Sequence, residues 1–199
     1  MAFSLSFFMR YTPSHKVQTR IHIIGVASRL FKEQGIDATG IAVVMKEAGL
    51  TNGAFYTHFD SKEALVEAVV ADQLQKQIES FQQVPKDISG VKTIISLYLT
   101  TEHRDNCGEG CPSAALLDEI GRRSTSTKQA YSSGMLLLVD GFQEHFPHLS
   151  AEDTRALVFA LISLLIGTMQ LSRAMTDKNT SNFVLENGKK AAFALVDAS

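Results

Sequence analysis

Apolar residues recur every three to four positions along almost the whole chain, and period-two alternation is nearly absent. The pattern therefore predicts an all-α protein. Val17, Ile21, Ile24, Ala27, Leu30 and Phe31 fall on one face of a first helix, with Thr12 as its cap, Pro13 in its first turn and Gly35 ending it. A short second helix turns Ile41, Val44, Met45 and Ala48 inward, with Thr39 as its cap, and Gly49 permits a sharp turn after it. Thr51 then caps a very short third helix across 52–58. Asp60 followed by Glu63 approximates a capping box, opening a long fourth helix that reaches Gln83 before Pro85. Further helices are predicted over 89–104, 112–122, 125–146, 150–175 and 182–197. This divides the chain into a disordered tail (1–12), a small helical head (13–62) and a helical body (63–199), with the fourth helix shared between head and body.

Composition adds limits rather than identity. With 45% hydrophobic and 20% charged residues the chain is an ordinary globular protein. Two cysteines are too few for a disulfide framework. The apolar stretch 1–8 has no basic segment before it, so a signal peptide is not expected. The stretch from Ala156 to Leu171 is broken by Ser163, Thr168 and Gln170, too short and too polar for a membrane span. The expectation is a cytoplasmic protein with no membrane partner. The net charge of −2 excludes a general nucleic-acid coat, but it is unevenly spread. From Arg10 to Lys62 seven Lys/Arg face four acids, and His15, His22 and His58 lie there too, whereas the remainder is acidic.

A basic head built of two short helices around a glycine turn has the geometry of a helix-turn-helix. Phe55 and Phe59 are four apart and anchor the short third helix. Thr51, Asn52, Tyr56, Thr57 and His58 are left facing outward, where hydroxyls and imidazole bond phosphates and Asn reads a base edge. A helix N-terminus favours phosphate as well, and Lys62 sits at the next one.

The series Ala27…Leu30-Phe31…Gly35…Thr39…Ala48-Gly49-Leu50-Thr51-Asn52-Gly53-Ala54-Phe55-Tyr56-Thr57-His58-Phe59-Asp60-Ser61-Lys62-Glu63-Ala64-Leu65 resembles the signature of the tetracycline-repressor (TetR/AcrR) family. The resemblance covers roughly residues 17–66. It implies an N-terminal three-helix DNA-binding domain followed by a helical domain for ligand binding and dimerisation. It also implies a transcriptional repressor that leaves a palindromic, double-stranded operator when a small molecule arrives. The DNA-contacting set is then Thr39, Gly40, Thr51, Asn52, Gly53, Ala54, Tyr56, Thr57, His58 and Lys62. Within it, Thr51, Asn52 and Ala54 approach bases, Tyr56, His58 and Lys62 clamp the backbone, and Thr57 stands where the family varies. Gly40 replaces a frequent Ser/Thr and Ala42 a frequent Arg, which shifts base reading toward the third helix.

In the body, the helix over 150–175 is apolar nearly all round and calls for burial on more than one face. With Met135–Val139 it suits a deep core or a partner helix, and Gly134 and Gly167 suit close approach. The resemblance implies a homodimer through a four-helix bundle of these two helices. An effector pocket is expected among the middle helices, with Tyr98, Tyr131 and Phe142 among its candidates. His103, Cys107 and Cys111 follow at four-residue spacing, but glycine and proline break the intervening helix and no fourth ligand is evident. Neither a metal nor a cofactor is expected. Cys111, just before Pro112, falls at a helix N-cap, where the dipole and a nearby Arg104 would favour the thiolate and its reaction with electrophiles or oxidants. Gly110-Cys111-Pro112 is similar to a step in the electrophile-sensing branch of the family, with Cys107 as a resolving partner. The ligand-sensing set is therefore Cys111, Cys107, His103, Tyr98, Tyr131 and Phe142. The rival readings are a thiol-dependent enzyme using Cys111 with His103, and a helical interaction module; an enzyme is not the expectation.

Overall fold

The computed structural model describes residues 13–199, with side chains from His15 onward; the tail 1–12 and the cap expected at Thr12 lie outside them. Among the described residues there are ten α-helices and no strand. The head consists of α1 (Pro13–Gln34), α2 (Ile41–Glu47) and α3 (Asn52–Phe55). Gly35 ends α1 at φ 87° and Gly49 follows α2 at φ 69°, both in the left-handed region that glycine enters without a Cβ clash. The buried face of α1 is Ile23, Ile24, Ala27, Leu30 and Phe31. Val17 and Ile21, expected on that face, are 55% and 54% exposed, because the first turns of α1 extend beyond the elements that cover the rest.

α4 (Lys62–Phe81) is capped by Ser61, whose Oγ accepts from the Ala64 amide at 3.1 Å, and not by the expected Asp60–Glu63 box. Glu63 instead reaches α8 (Thr125–Asp140), accepting from Thr127 Oγ1 at 2.6 Å and Ser124 Oγ at 2.7 Å. Burial raises its pKa, but these hydrogen bonds and Arg123 outweigh that and hold it below the usual carboxylate value.

The helix expected over 89–104 is two: α5 (Ile88–Tyr98) and α6 (Thr101–Asp105), with Thr100 capping the second through the His103 amide. A 3₁₀ turn (Cys107–Glu109) leads to α7 (Pro112–Gly121). α8 ends earlier than expected, passing into a 3₁₀ turn over Gly141–His145. α9 (Ala151–Ala174) and α10 (Lys178–Asp197) close the chain and pack most extensively on each other. Gly188 makes that pairing possible, since a Cβ there would come within 2.3 Å of Thr168. Gly134 does the same for α4 and α8, where a Cβ would meet Leu74 at 2.7 Å. Gly167 has no such neighbour and lies on the outer face of α9. α9 is long and apolar enough to cross a membrane by length and composition, more so than the interrupted stretch suggested. Its Val158, Leu161, Leu165 and Met169 are nevertheless core residues against the neighbouring helices.

Head and body meet in one continuous core, from Phe31 and Phe55 through Leu65 and Val69 to Leu116 and Leu161. Each such side chain contributes about 1.5–3 kcal/mol by leaving water. Polar ties cross the same seam. The Glu119 carboxylate of α7 accepts from the amides of Ile36 and Asp37 at 2.9 and 3.1 Å. Arg123 pairs with Asp37, and lies 3.8 Å from Glu63 and 3.9 Å from Glu119.

Candidate nucleic-acid interface and effector cleft

Phe55 and Phe59 are buried and stacked, ring centres 5.6 Å apart, and fix α3 to the head core. With those rings inward, Thr51, Asn52, Gly53, Tyr56 and Thr57 are exposed, Tyr56 by 66%. Ala54 is half-buried. Thr57 Oγ1 donates to the Ala54 carbonyl at 2.7 Å. Gly53 has open space where a Cβ would stand, so it leaves a flat, small surface. Lys62, at the start of α4, reaches toward the Asp37 carbonyl at 3.4 Å. His58 is half-buried, and burial together with Lys16, Arg20 and His15 lowers its pKa, so the ring is neutral near pH 7.

Two members of the expected contact set stand differently. Thr39 neither caps α2 nor faces solvent: it is fully buried and donates to the Gly35 carbonyl at 2.8 Å, tying the α1–α2 turn. The cap position belongs to Gly40, which is exposed and has no side chain to offer. Lys16 and Arg20 were counted in the basic head but not placed. Both are exposed and close enough to His58 to depress its pKa, and the Arg20 guanidinium lies 4.5 Å from the Phe59 ring centre. Cation–π contact holds Arg20 beside α3, extending the positive edge of the reading face.

The second site is a cleft of about 590 Å³ between α1, α4 and the α5–α7 segment. Tyr98, His103 and Cys111 line it, as does Lys32 from the head. Tyr131 and Phe142 do not. Tyr131 bonds Ser113 at 2.9 Å, and Phe142 faces a second, interior cavity of about 20 Å³, room for little more than one water. The interior of the middle-helix pocket expected from sequence is thus nearly closed; Phe142 also borders a cavity of about 370 Å³ between α4 and the end of α8, and the larger cleft lies at the head–body seam.

Cys111 occupies the expected N-cap position of α7, with Pro112 in the first turn. Arg104 is not beside it. That side chain is buried against Asp105, Ser181 and Asn182, so it lends the thiol no charge. Cys107 is turned to α1, its thiol donating to the Lys32 carbonyl at 3.0 Å, and is not part of the cleft wall. His103 is fully committed. Its Nδ1 donates to the Tyr98 carbonyl at 2.7 Å, and its Nε2 accepts from the Cys111 amide at 2.9 Å. Burial, with Arg173 and Lys32 nearby, keeps its pKa below the ordinary histidine value. Both nitrogens serve the backbone and neither is directed at the Cys111 sulfur, which removes the geometric basis of the thiol-enzyme reading. Among the described residues, no cluster of His, Cys, Asp or Glu could hold a metal.

A short exposed helix held by aromatic anchors beside a basic helix end, on an all-helical body with a cleft, has the form of a helix-turn-helix module. Residues 23–69 match the family of bacterial regulatory proteins, tetR family. The match is confined to that N-terminal stretch. Over 56 residues, 28% of this chain and 26% of the relative, it is 45% identical to the HTH-type transcriptional regulator AcrR of Shigella flexneri. Over 73 residues, 37% of this chain and 36% of the relative, it is 34% identical to the HTH-type transcriptional repressor KstR2 of Mycolicibacterium smegmatis. The matches thus span about a quarter to a third of those curated relatives, and the likeness is one of the N-terminal module. The reduced form of Escherichia coli NemR superposes with a TM-score of 0.72, covering 88% of this chain and 95% of that one at 19% identity, a likeness of fold.

Proposed function

We propose that the protein is a homodimeric transcriptional repressor acting in the cytoplasm, released from a palindromic operator by a small molecule bound in the seam cleft. The observation that carries this is the reading face: Thr51, Asn52, Tyr56 and Thr57 exposed on α3, flanked by Lys16, Arg20 and Lys62. Asn52 and Thr57 read base edges, while Tyr56, Lys62 and the basic residues of α1 hold phosphates. One such short helix gains adequate affinity only in a two-fold pair. The dimer is supported by the unpartnered outer stripe of α9, with Phe159 40% and Leu171 51% exposed around Gly167, and by Phe183 of α10 at 65%. Because α9 packs chiefly on α10 and little on α8, the α9–α10 pair is the natural partner surface, in place of the pair over 125–146 and 150–175 expected from the sequence.

Cys111 gives the cleft a second means of release. Its sulfur is partly exposed there, 3.7 Å from Gln77 Nε2. Addition to an electron-poor alkene forms an Sγ–carbon bond, and the thiol proton ends on the adjacent carbon. The adduct then fills the cleft as a bound ligand would.

Fluorescence anisotropy with a labelled duplex from the gene's own promoter region tests the repressor. Tight binding that falls steeply with salt and is lost on a scrambled duplex is expected; equal binding to both duplexes overturns it. Cys111→Ser abolishes release by N-ethylmaleimide while leaving operator affinity intact. Unchanged release removes the covalent route alone.

A further inference from the structure

Given that the cleft is the effector site, its lining specifies the chemistry it selects. Lys32 belongs to α1, yet it is only 7% exposed. Its ammonium donates to Gln73 Oε1 at 3.0 Å and to the Gly110 carbonyl at 3.1 Å, both neutral acceptors. A third N–H is left over. The other cations of the cleft wall are answered: Arg29 by Glu33 and Glu47, Lys76 by Asp72. Glu102 and Glu109, also on the wall, are exposed, and neither forms an ion pair with Lys32 among the described residues. A buried ammonium is costly without a counter-charge. Burial pulls the Lys32 pKa below the ordinary lysine value, against the opposing pull of Glu109 and the two cysteines.

A second observation lies further along the same wall. The Tyr98 hydroxyl is buried with no nitrogen or oxygen partner, the Cys111 sulfur, Arg173 and Tyr131 being the polar groups near it. Beyond it the cleft turns apolar, with Phe81, Val84, Ile94 and Leu97 on its sides. Leu97 is 68% exposed at the mouth. The cleft thus runs from a buried cation with no direct ion-pair partner among the described residues, Glu109 acting on it only from a distance, to hydrocarbon at the other end.

The geometry points to an amphipathic monoanion as the effector, its carboxylate or phosphate head on Lys32 Nζ and its apolar body against Phe81, Val84, Ile94 and Leu97. The head group is held by the DNA-reading module and the body group by the rest of the chain. A ligand spanning both is therefore sensitive to the angle between them, and its binding free energy is the coupling term by which it alters operator affinity.

Isothermal titration of the full chain with octanoate, octyl phosphate, 1-octanol and octylammonium, each below its aggregation limit, tests this directly. Both anions are expected to bind about tenfold or more tightly than the alcohol, the gain of one desolvated charge-assisted hydrogen bond, and the ammonium is expected to bind weakest. Lys32→Met brings anion and alcohol to within about twofold while the alcohol's affinity is unchanged, and Lys32→Arg restores the preference. The head-group series on the unmodified chain stands by itself should Lys32→Met fail to fold. Equal affinities, a preference that survives Lys32→Met, or no binding by any of the four overturns the inference. Operator binding measured in parallel separates the two readings. A chain that binds its operator without preferring anions loses only the effector class. One that prefers anions but binds no operator loses the repressor function.

Discussion

The Glu119 carboxylate holds the Ile36 amide at 2.9 Å, so a side chain of α7 caps the turn by which the first helix of the reading head reaches the second. The same oxygen takes the Asp37 amide, and Gly35 beside it is at a positive φ with no room for a Cβ: Glu119 Oε1 would stand 2.9 Å away. The orientation of the head is set here as much as by the shared α4.

Glu119→Ala leaves the Ile36 and Asp37 amides without their acceptor. A loss of about 1–3 kcal/mol is expected in urea unfolding. Asp118→Ala, one residue away but with its side chain 83% exposed and paired only to Arg122, serves as control and stays within about 0.5 kcal/mol. Equal losses for the two would remove the seam role of Glu119.

The two left-handed glycines separate backbone strain from crowding. Gly49→Ala meets nothing within 4 Å and suffers only from its φ of 69°, a cost of about 1–2 kcal/mol. Gly35→Ala adds the collision with Glu119, so its thermal midpoint falls further. Should the two midpoints fall alike, the close approach at Gly35 carries no energy.

Arg173 of α9 donates to three backbone carbonyls: Arg104 at 3.1 Å, Ala114 at 3.2 Å and His103 at 2.8 Å. Only a planar fork serves three acceptors in this arrangement, so Arg173→Lys is not conservative here. A destabilisation of about 1.5–3 kcal/mol is expected for Arg173→Met, with Lys recovering less than half of it. Urea titration of both variants decides whether the fork matters.

Acidification acts through histidine. His103 and His58 both have folded pKa values below the ordinary 6.5, so as pH falls through that value the unfolded chain takes up protons the folded chain does not. Stability therefore rises with pH from the folded values up to 6.5, and is lost on going down through the same window. The lowered carboxylates, Glu63 and Asp87 among them, act at still lower pH. Urea midpoints at pH 7.5 and 5.5 should show the loss, and an NMR titration placing His103 at or above 6.5 contradicts its assignment.

On the reading face, Lys62→Ala weakens operator binding and flattens its salt dependence by about one ion, with little effect on sequence choice. Thr57→Ala or Asn52→Ala instead narrows the gap between operator and altered duplexes. Anisotropy over a salt series distinguishes them, and a Lys62 variant with an unchanged slope excludes its phosphate contact.

Much of this was legible in the chain. The helix starts near 125 and 150 and the aromatic anchors Phe55 and Phe59 follow from local rules, because caps and i,i+4 pairs are settled within one or two turns, whereas α10 begins at Lys178, four residues before the expected 182, because Asp177 caps it. Leu99 shows where local rules stop: the apolar period runs through it, yet Thr100 captures the His103 amide and starts a new helix. Thr39 has the sequence of a cap but is taken by the Gly35 carbonyl. The seam was invisible for a different reason. Glu119 and Arg123 meet partners about sixty or more residues away, and no periodicity marks Lys32 as buried, since its burial comes from Gly110 and Gln73 approaching from two other elements. The cleft went with it, because a cavity belongs to the packing of distant helices.

One fastening of the seam, Glu119 on the Ile36 and Asp37 amides, addresses the main chain rather than the side chains it holds. That bond makes no demand of its own on the side chains at positions 36 and 37, provided the turn at Gly35 keeps its handedness; Ile36 is held separately by the core and Asp37 by Arg123. A reading head from a different regulator with the same glycine turn seats on this body through the same bonds. Exchange of the segment between residue 35 and the start of α4 therefore swaps the proposed reading helix while Lys32, on α1, stays with the cleft.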